Sequence, residues 1–118
     1  MTIIRLSLQS LFKSTNFSYK IKHNYSFKKE NEMPEISRFL GIVIAMYFME
    51  HEPPHFHATY GGQRASFSIA DLRIIEGKLP SRVISLILEW AFLHREDLME
   101  NWQRAERREK LEKIEPLV

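Results

Sequence analysis

From residue 36 onward the chain switches between two hydrophobic periods. Ile36 to Phe48 is almost continuously apolar and rich in β-branched and aromatic side chains, which predicts strand rather than helix. Gly41 interrupts the run and marks a bulge or a tight turn between two shorter strands. Apolar positions on both sides suggest a strand covered on both faces, or a central strand beneath helices. Residues 55–60 alternate instead. His55, His57 and Thr59 project one way, Phe56, Ala58 and Tyr60 the other. The Phe56 side suits a core, and the histidine side is expected to face outward, half exposed. Gly61-Gly62 offers the positive φ angles of a two-residue hairpin turn. Gln63 to Ile69 then returns with Ala65, Phe67 and Ile69 inward and Arg64, Ser66 and Ser68 outward. Ala70-Asp71 reads as a second turn and Leu72 to Glu76 as a further short strand.

Past Pro80, a residue suited to a helix's first turn, the spacing becomes helical. Val83, Ile84, Leu86, Ile87, Leu88, Trp90, Ala91, Phe92 and Leu93 leave only a narrow polar stripe, as in a largely buried helix. Leu98, Met99, Trp102 and Ala105 keep that spacing among charges. One helix over residues 81–110 would run about 45 Å, longer than a domain of this size is wide. A bend or break is therefore expected near His94, although no Gly or Pro marks it. Arg104 to Lys113 has mixed charge and reads as a solvated helix end. The predicted fold class is α+β: a small antiparallel meander of three or four strands, packed against a C-terminal pair of helices or one bent helix.

Charge divides the chain. Residues 1–32 carry six Lys/Arg against two Glu, a balance of +4, while residues 33–118 carry eleven against thirteen Asp/Glu, a balance of −2. The basic character thus belongs to the first 32 residues, and the overall pI gives little support to nucleic acid as a partner. That segment is rich in Ser, Lys, Asn and Phe and reads as a weakly ordered basic extension. Met33-Pro34 reads as the natural start of a single domain over residues 33–118. No window approaches 18 consecutive apolar residues, so no transmembrane helix is expected. With no cysteine, the chain has neither disulfides nor thiolate metal sites, which suits the cytoplasm.

The candidate chemistry lies in His51-Glu52-Pro53-Pro54-His55-Phe56-His57-Ala58, which holds three of the five histidines. Two imidazoles one strand-step apart can share an ion, with His51, Glu50 or Glu52 completing the set, and zinc or manganese is the metal implied. The same histidines suit proton transfer near neutral pH, with Arg64 or Arg38 available to clamp a phosphate. The competing account has them as polar residues of a sheet face bonded to backbone or carboxylates. Outward-facing imidazoles leave no cavity when truncated, so His55→Ala and His57→Ala are expected to leave stability nearly unchanged. No Ser/His/Asp order, phosphate-binding glycine loop or dinucleotide fingerprint occurs, and Gly61-Gly62 is a turn rather than a phosphate cradle. Trp90 reads as core, while Trp102, among charges, reads as an exposed anchor for a partner protein.

Several segments together resemble domain-of-unknown-function family 4160, a family of small bacterial proteins. They are Met33 to Phe39 with Gly41, the His51…PPHFHA…Tyr60-Gly61 stretch, Ile74 to Pro80, and Leu88-Glu89-Trp90…His94…Asn101-Trp102. The resemblance spans residues 33 to about 117. It implies a cytoplasmic protein, often encoded beside another small protein, and hence a two-gene module of toxin–antitoxin-like type, working by protein–protein binding. Members often have a polar residue where this chain has Met49. The resemblance carries no established activity. Partner binding is therefore the leading expectation, and a metal- or histidine-dependent enzyme of nuclease or hydrolase type the alternative.

Overall fold

In the computed structural model, which describes residues 33–118, five strands precede two helices. They are β1 (Glu35–Phe39), β2 (Ile42–Ala45), β3 (His55–Tyr60), β4 (Gln63–Ser68), β5 (Ile74–Gly77), α1 (Ser81–Leu93) and α2 (Arg95–Glu106). The strands form one antiparallel sheet in the order β1-β2-β3-β4-β5. The expected α+β architecture is present, with five strands where three or four were anticipated. The basic extension assigned to residues 1–32 lies outside the described residues. No helix among them is long and apolar enough to cross a membrane.

The apolar run over 36–48 proves to be a hairpin, not one strand. Leu40 and Gly41 have φ of 49° and 80°, and Gly61 and Gly62 have 54° and 84°. Positive φ at both central residues is the signature of the tight hairpin turn whose twist matches the strands it joins. The first turn makes β1 an edge strand, and the histidine strand β3 takes the centre of the sheet. At the far edge Gly77 ends β5 with φ 91°, and a Cβ there would overlap the Arg64 carbonyl. The β4–β5 pair closes this tightly because that position has no side chain.

Phe56 and Phe67 stack across β3 and β4, with ring centroids 5.2 Å apart and planes within 7°. Trp90 meets the Phe56 ring edge-on at 6.0 Å and the Phe39 ring at 5.5 Å. Val83, Ile87, Trp90 and Ala91 are the buried positions of α1, the i, i+4, i+7, i+8 stripe that helical spacing requires. Pro80 caps α1 instead of sitting in its first turn, and its carbonyl accepts from the Val83 and Ile84 amides.

His94 is the break between the helices, with φ −122° and ψ 26°. Glu96 and Asp97 occupy the first turn of α2 and Arg104 the last, in keeping with the helix dipole. Leu98, Asn101, Trp102 and Ala105 face inward.

Beyond Glu106 the structure departs from the solvated helix end expected there. The helix stops, Leu111 and Ile114 are buried, and the chain runs as a strap. Asn101 donates to the Glu112 carbonyl and accepts from the Glu112 amide, both at 2.9 Å. Trp90 Nε1 donates to the Glu115 carbonyl at 2.8 Å. The Ile114 amide donates to the Ile36 carbonyl, and the Ser37 hydroxyl to the Ile114 carbonyl. The apolar residues of this strap are scattered among charges without a period, so the sequence pattern concealed a segment held by hydrogen bonds and by burial of Leu111 and Ile114.

Phe56 sits where sheet and helix meet, fully buried between Phe67 and Trp90. Phe56→Ala should therefore lower stability by about 3–5 kcal/mol. A urea melt showing a loss below about 1 kcal/mol would contradict this packing.

Candidate functional site

Because side chains alternate along a strand, β3 places Phe56 and Ala58 in the core and turns His55 and His57 to the opposite face. The β2–β3 connection then folds back and brings Glu50 over the two imidazoles. A single carboxylate oxygen, Glu50 Oε1, lies 2.8 Å from His55 Nε2 and 2.9 Å from His57 Nε2. The imidazole centroids are 5.1 Å apart at a steep angle. The three donor atoms all lie within 4.8 Å of one another.

The other nitrogen of His55 decides what this arrangement can do. Nδ1 is 2.7 Å from the Pro53 carbonyl, an acceptor only, so Nδ1 carries hydrogen and donates to it. A neutral His55 then aims the Nε2 lone pair at a carboxylate oxygen 2.8 Å away. Two lone pairs cannot face each other at that distance without a proton or a metal cation between them. In the protonated state His55 Nε2–H and His57 Nε2–H both donate to Glu50. In the cation-bound state the Pro53 carbonyl is the outer partner that orients a metal-binding imidazole. Ligands on a tetrahedral ion lie about 3.3–3.5 Å apart, so a slight opening of the cluster admits one.

The surroundings are built rather than incidental. His55 is 4% exposed, its ring against Trp102 with centroids 5.2 Å apart. The Tyr47 ring lies edge-on to half-buried His57 at 4.5 Å. The Met49 amide donates to the Ala105 carbonyl at 3.3 Å, tying the residue before Glu50 to the end of α2. Met49 has φ 56°, left-handed backbone that short polar residues adopt more readily. This is the position the family resemblance marked as often polar.

The sequence-predicted residues separate cleanly. His55 and His57 come together, with Glu50 as third donor. His51 stays exposed outside the cluster, its Nδ1 on the Glu52 carbonyl and its ring 5.8 Å from that of His55. Glu52 is exposed as well. Arg64 is exposed on the histidine face of β4, across from Thr59. Arg38 is held by Glu35 through two guanidinium contacts of 3.0 and 2.8 Å, and hydrogen bonding to Arg38 keeps the Glu35 carboxyl below the usual carboxylate range. Trp102 is not an exposed anchor: it is 2% exposed and packs on His55. His55 is not half exposed either, because the returning loop and Trp102 cover it. Ser66 and Ser68, expected outward, are on the histidine face but buried among longer neighbours. Tyr47 had no signal in the linear pattern beyond membership of an apolar run.

A family model described as Domain of unknown function (DUF4160) matches residues 41–103. The chain belongs to this family. The matched span contains β2 to β5, α1 and the first part of α2, and with them every donor of the cluster. No curated protein and no solved structure matches the chain.

Burial and bonding predict different roles for the two imidazoles of this DUF4160 protein. His55→Ala removes a packed ring and leaves the Pro53 carbonyl and Glu50 without their donor, at a cost of about 2–4 kcal/mol. His57→Ala removes a half-buried ring with one bond and should cost about 1 kcal/mol. Denaturant melts giving equal losses for both would refute this division.

Proposed function

We propose that the protein binds one divalent transition-metal ion through Glu50, His55 and His57, and that this centre serves hydrolytic chemistry. The observation that carries the reading is the meeting of both imidazole Nε2 atoms at one carboxylate oxygen, with His55 Nδ1 locked on the Pro53 carbonyl. Two imidazoles and a carboxylate are the protein ligands of one class of catalytic zinc site, which leaves a fourth position open. The donor set suits zinc or manganese, and an ion so held supplies Lewis acidity and an activated water. The chain's own part is to aim His55 through Pro53, to seat it against Trp102, and to bring in Glu50 from the loop. The protein works in a reducing cytoplasm, where a cysteine-free site of nitrogen and oxygen ligands is indifferent to thiol chemistry.

Untagged protein purified without chelator should carry close to one equivalent of zinc or manganese, and His55→Ala/His57→Ala should lose it. Elemental analysis of the folded proteins decides. Metal below a tenth of an equivalent after incubation with excess zinc sinks the reading.

A different observation supports partner binding, the two-gene reading. Phe92 and Leu93, at the end of α1, are 68% and 64% exposed. Two exposed large apolar side chains side by side offer an anchor for a protein interface. Phe92→Ser/Leu93→Ser should abolish co-purification with the product of the neighbouring gene and leave the melt unchanged. Undiminished co-purification would exclude this surface.

A further inference from the structure

The histidine face of the sheet continues beyond the donor cluster. One row across the strands is Glu35, Ala45, His57, Ser66 and Glu76. The next is Arg38, Val43, Thr59 and Arg64. Arg64 is thus diagonal to His57, a relation that separates positions on adjacent strands by about 7–8 Å and is within the span of an arginine side chain.

The two arginines of that row differ. Arg38 is engaged by both oxygens of Glu35. Arg64 is exposed, and no carboxylate among the described residues pairs with it. Its backbone, by contrast, is held: the Lys78 amide donates to the Arg64 carbonyl at 3.1 Å, and Gly77 presses against the same carbonyl. A guanidinium with no carboxylate partner among the described residues, on a fixed strand and diagonal to His57, is able to hold an anion.

We propose that the sheet face next to the Glu50–His55–His57 centre takes a phosphate group, gripped by the Arg64 guanidinium beside the Thr59 hydroxyl. The assignment rests on the cation-binding reading and specifies its substrate class. A guanidinium matches two phosphate oxygens with two parallel hydrogen bonds. A tetrahedral anion keeps a further oxygen for the cation, which a carboxylate held by both of its oxygens does not. Glu76, exposed opposite Ser66, repels an anion at the far end of its row and leaves the Thr59–Arg64 side as the favourable one.

Cobalt(II) provides the test, because an anion entering its coordination sphere changes its visible absorption. The full chain, Arg64→Ala and Arg64→Lys are loaded with cobalt and titrated with inorganic phosphate and, separately, with acetate. The native protein should show a saturable phosphate response. Arg64→Ala should weaken it about tenfold, the loss of one charge-assisted pair, with cobalt affinity and melting temperature unchanged. Arg64→Lys should fall between them, and acetate should bind more weakly than phosphate. Normal cobalt binding with an Arg64→Ala titration equal to the native one, or with acetate as tight as phosphate, overturns the phosphate assignment and leaves the cation site standing. Failure of the native chain to bind cobalt removes both.

Discussion

The alternation of side chains along one central strand is the constraint on which the molecule depends. β3 lies in the middle of a five-stranded sheet, so both of its faces are used. Phe56 points into the core against Phe67 and Trp90, and its neighbours His55 and His57 point to the other side. The period of two that commits Phe56 to the core commits both imidazoles to the opposite face. A register slip of one residue would bury the histidines under α1 and expose the phenylalanine. The core therefore guarantees the geometry of the site.

The second helix and the strap that follows it complete what β3 begins. Trp102 covers His55, and the Ala105 carbonyl holds the Met49 amide just before Glu50. The strap is bound in turn to α2 by Asn101, to α1 by Trp90 and to β1 by Ile36 and Ser37. A continuous series of contacts thus joins the C-terminal segment to the carboxylate of the cluster. Buried Trp102 belongs to this support, which is why it is unavailable as an interface anchor.

Placement of charge supports the proposed cation site. Three electronegative atoms meet where the sheet face is partly covered, and the nearest positive side chain by register, Arg64, stands one row away. Uncompensated donors in partial burial are costly unless a proton or an ion sits among them. Arg38, at the other end of Arg64's row, is already committed to Glu35. The asymmetry between these two arginines gives the face its direction.

Much of the fold was legible in the sequence because it rests on local rules. Alternation located β3 to the residue and β4 to within one residue, Gly61-Gly62 located the turn between them, Gly41 marked the break between β1 and β2, and the change of period at Pro80 located the start of the helices. The size of the domain required the break at His94. The pairing of His55 with His57 followed from the same alternation. What the linear pattern could not supply was the return of a loop. Glu50, His51 and Glu52 are equivalent as neighbours in sequence, and only the path from β2 to β3 selects Glu50 as the third donor. Burial of Trp102 and docking of residues 111–115 were hidden for a related reason: they depend on single long-range hydrogen bonds and on one packed ring, which leave no periodic trace. By itself the sequence determined which residues share a face. The tertiary structure decided which side chains cover that face, because covering it brings together segments far apart in the chain.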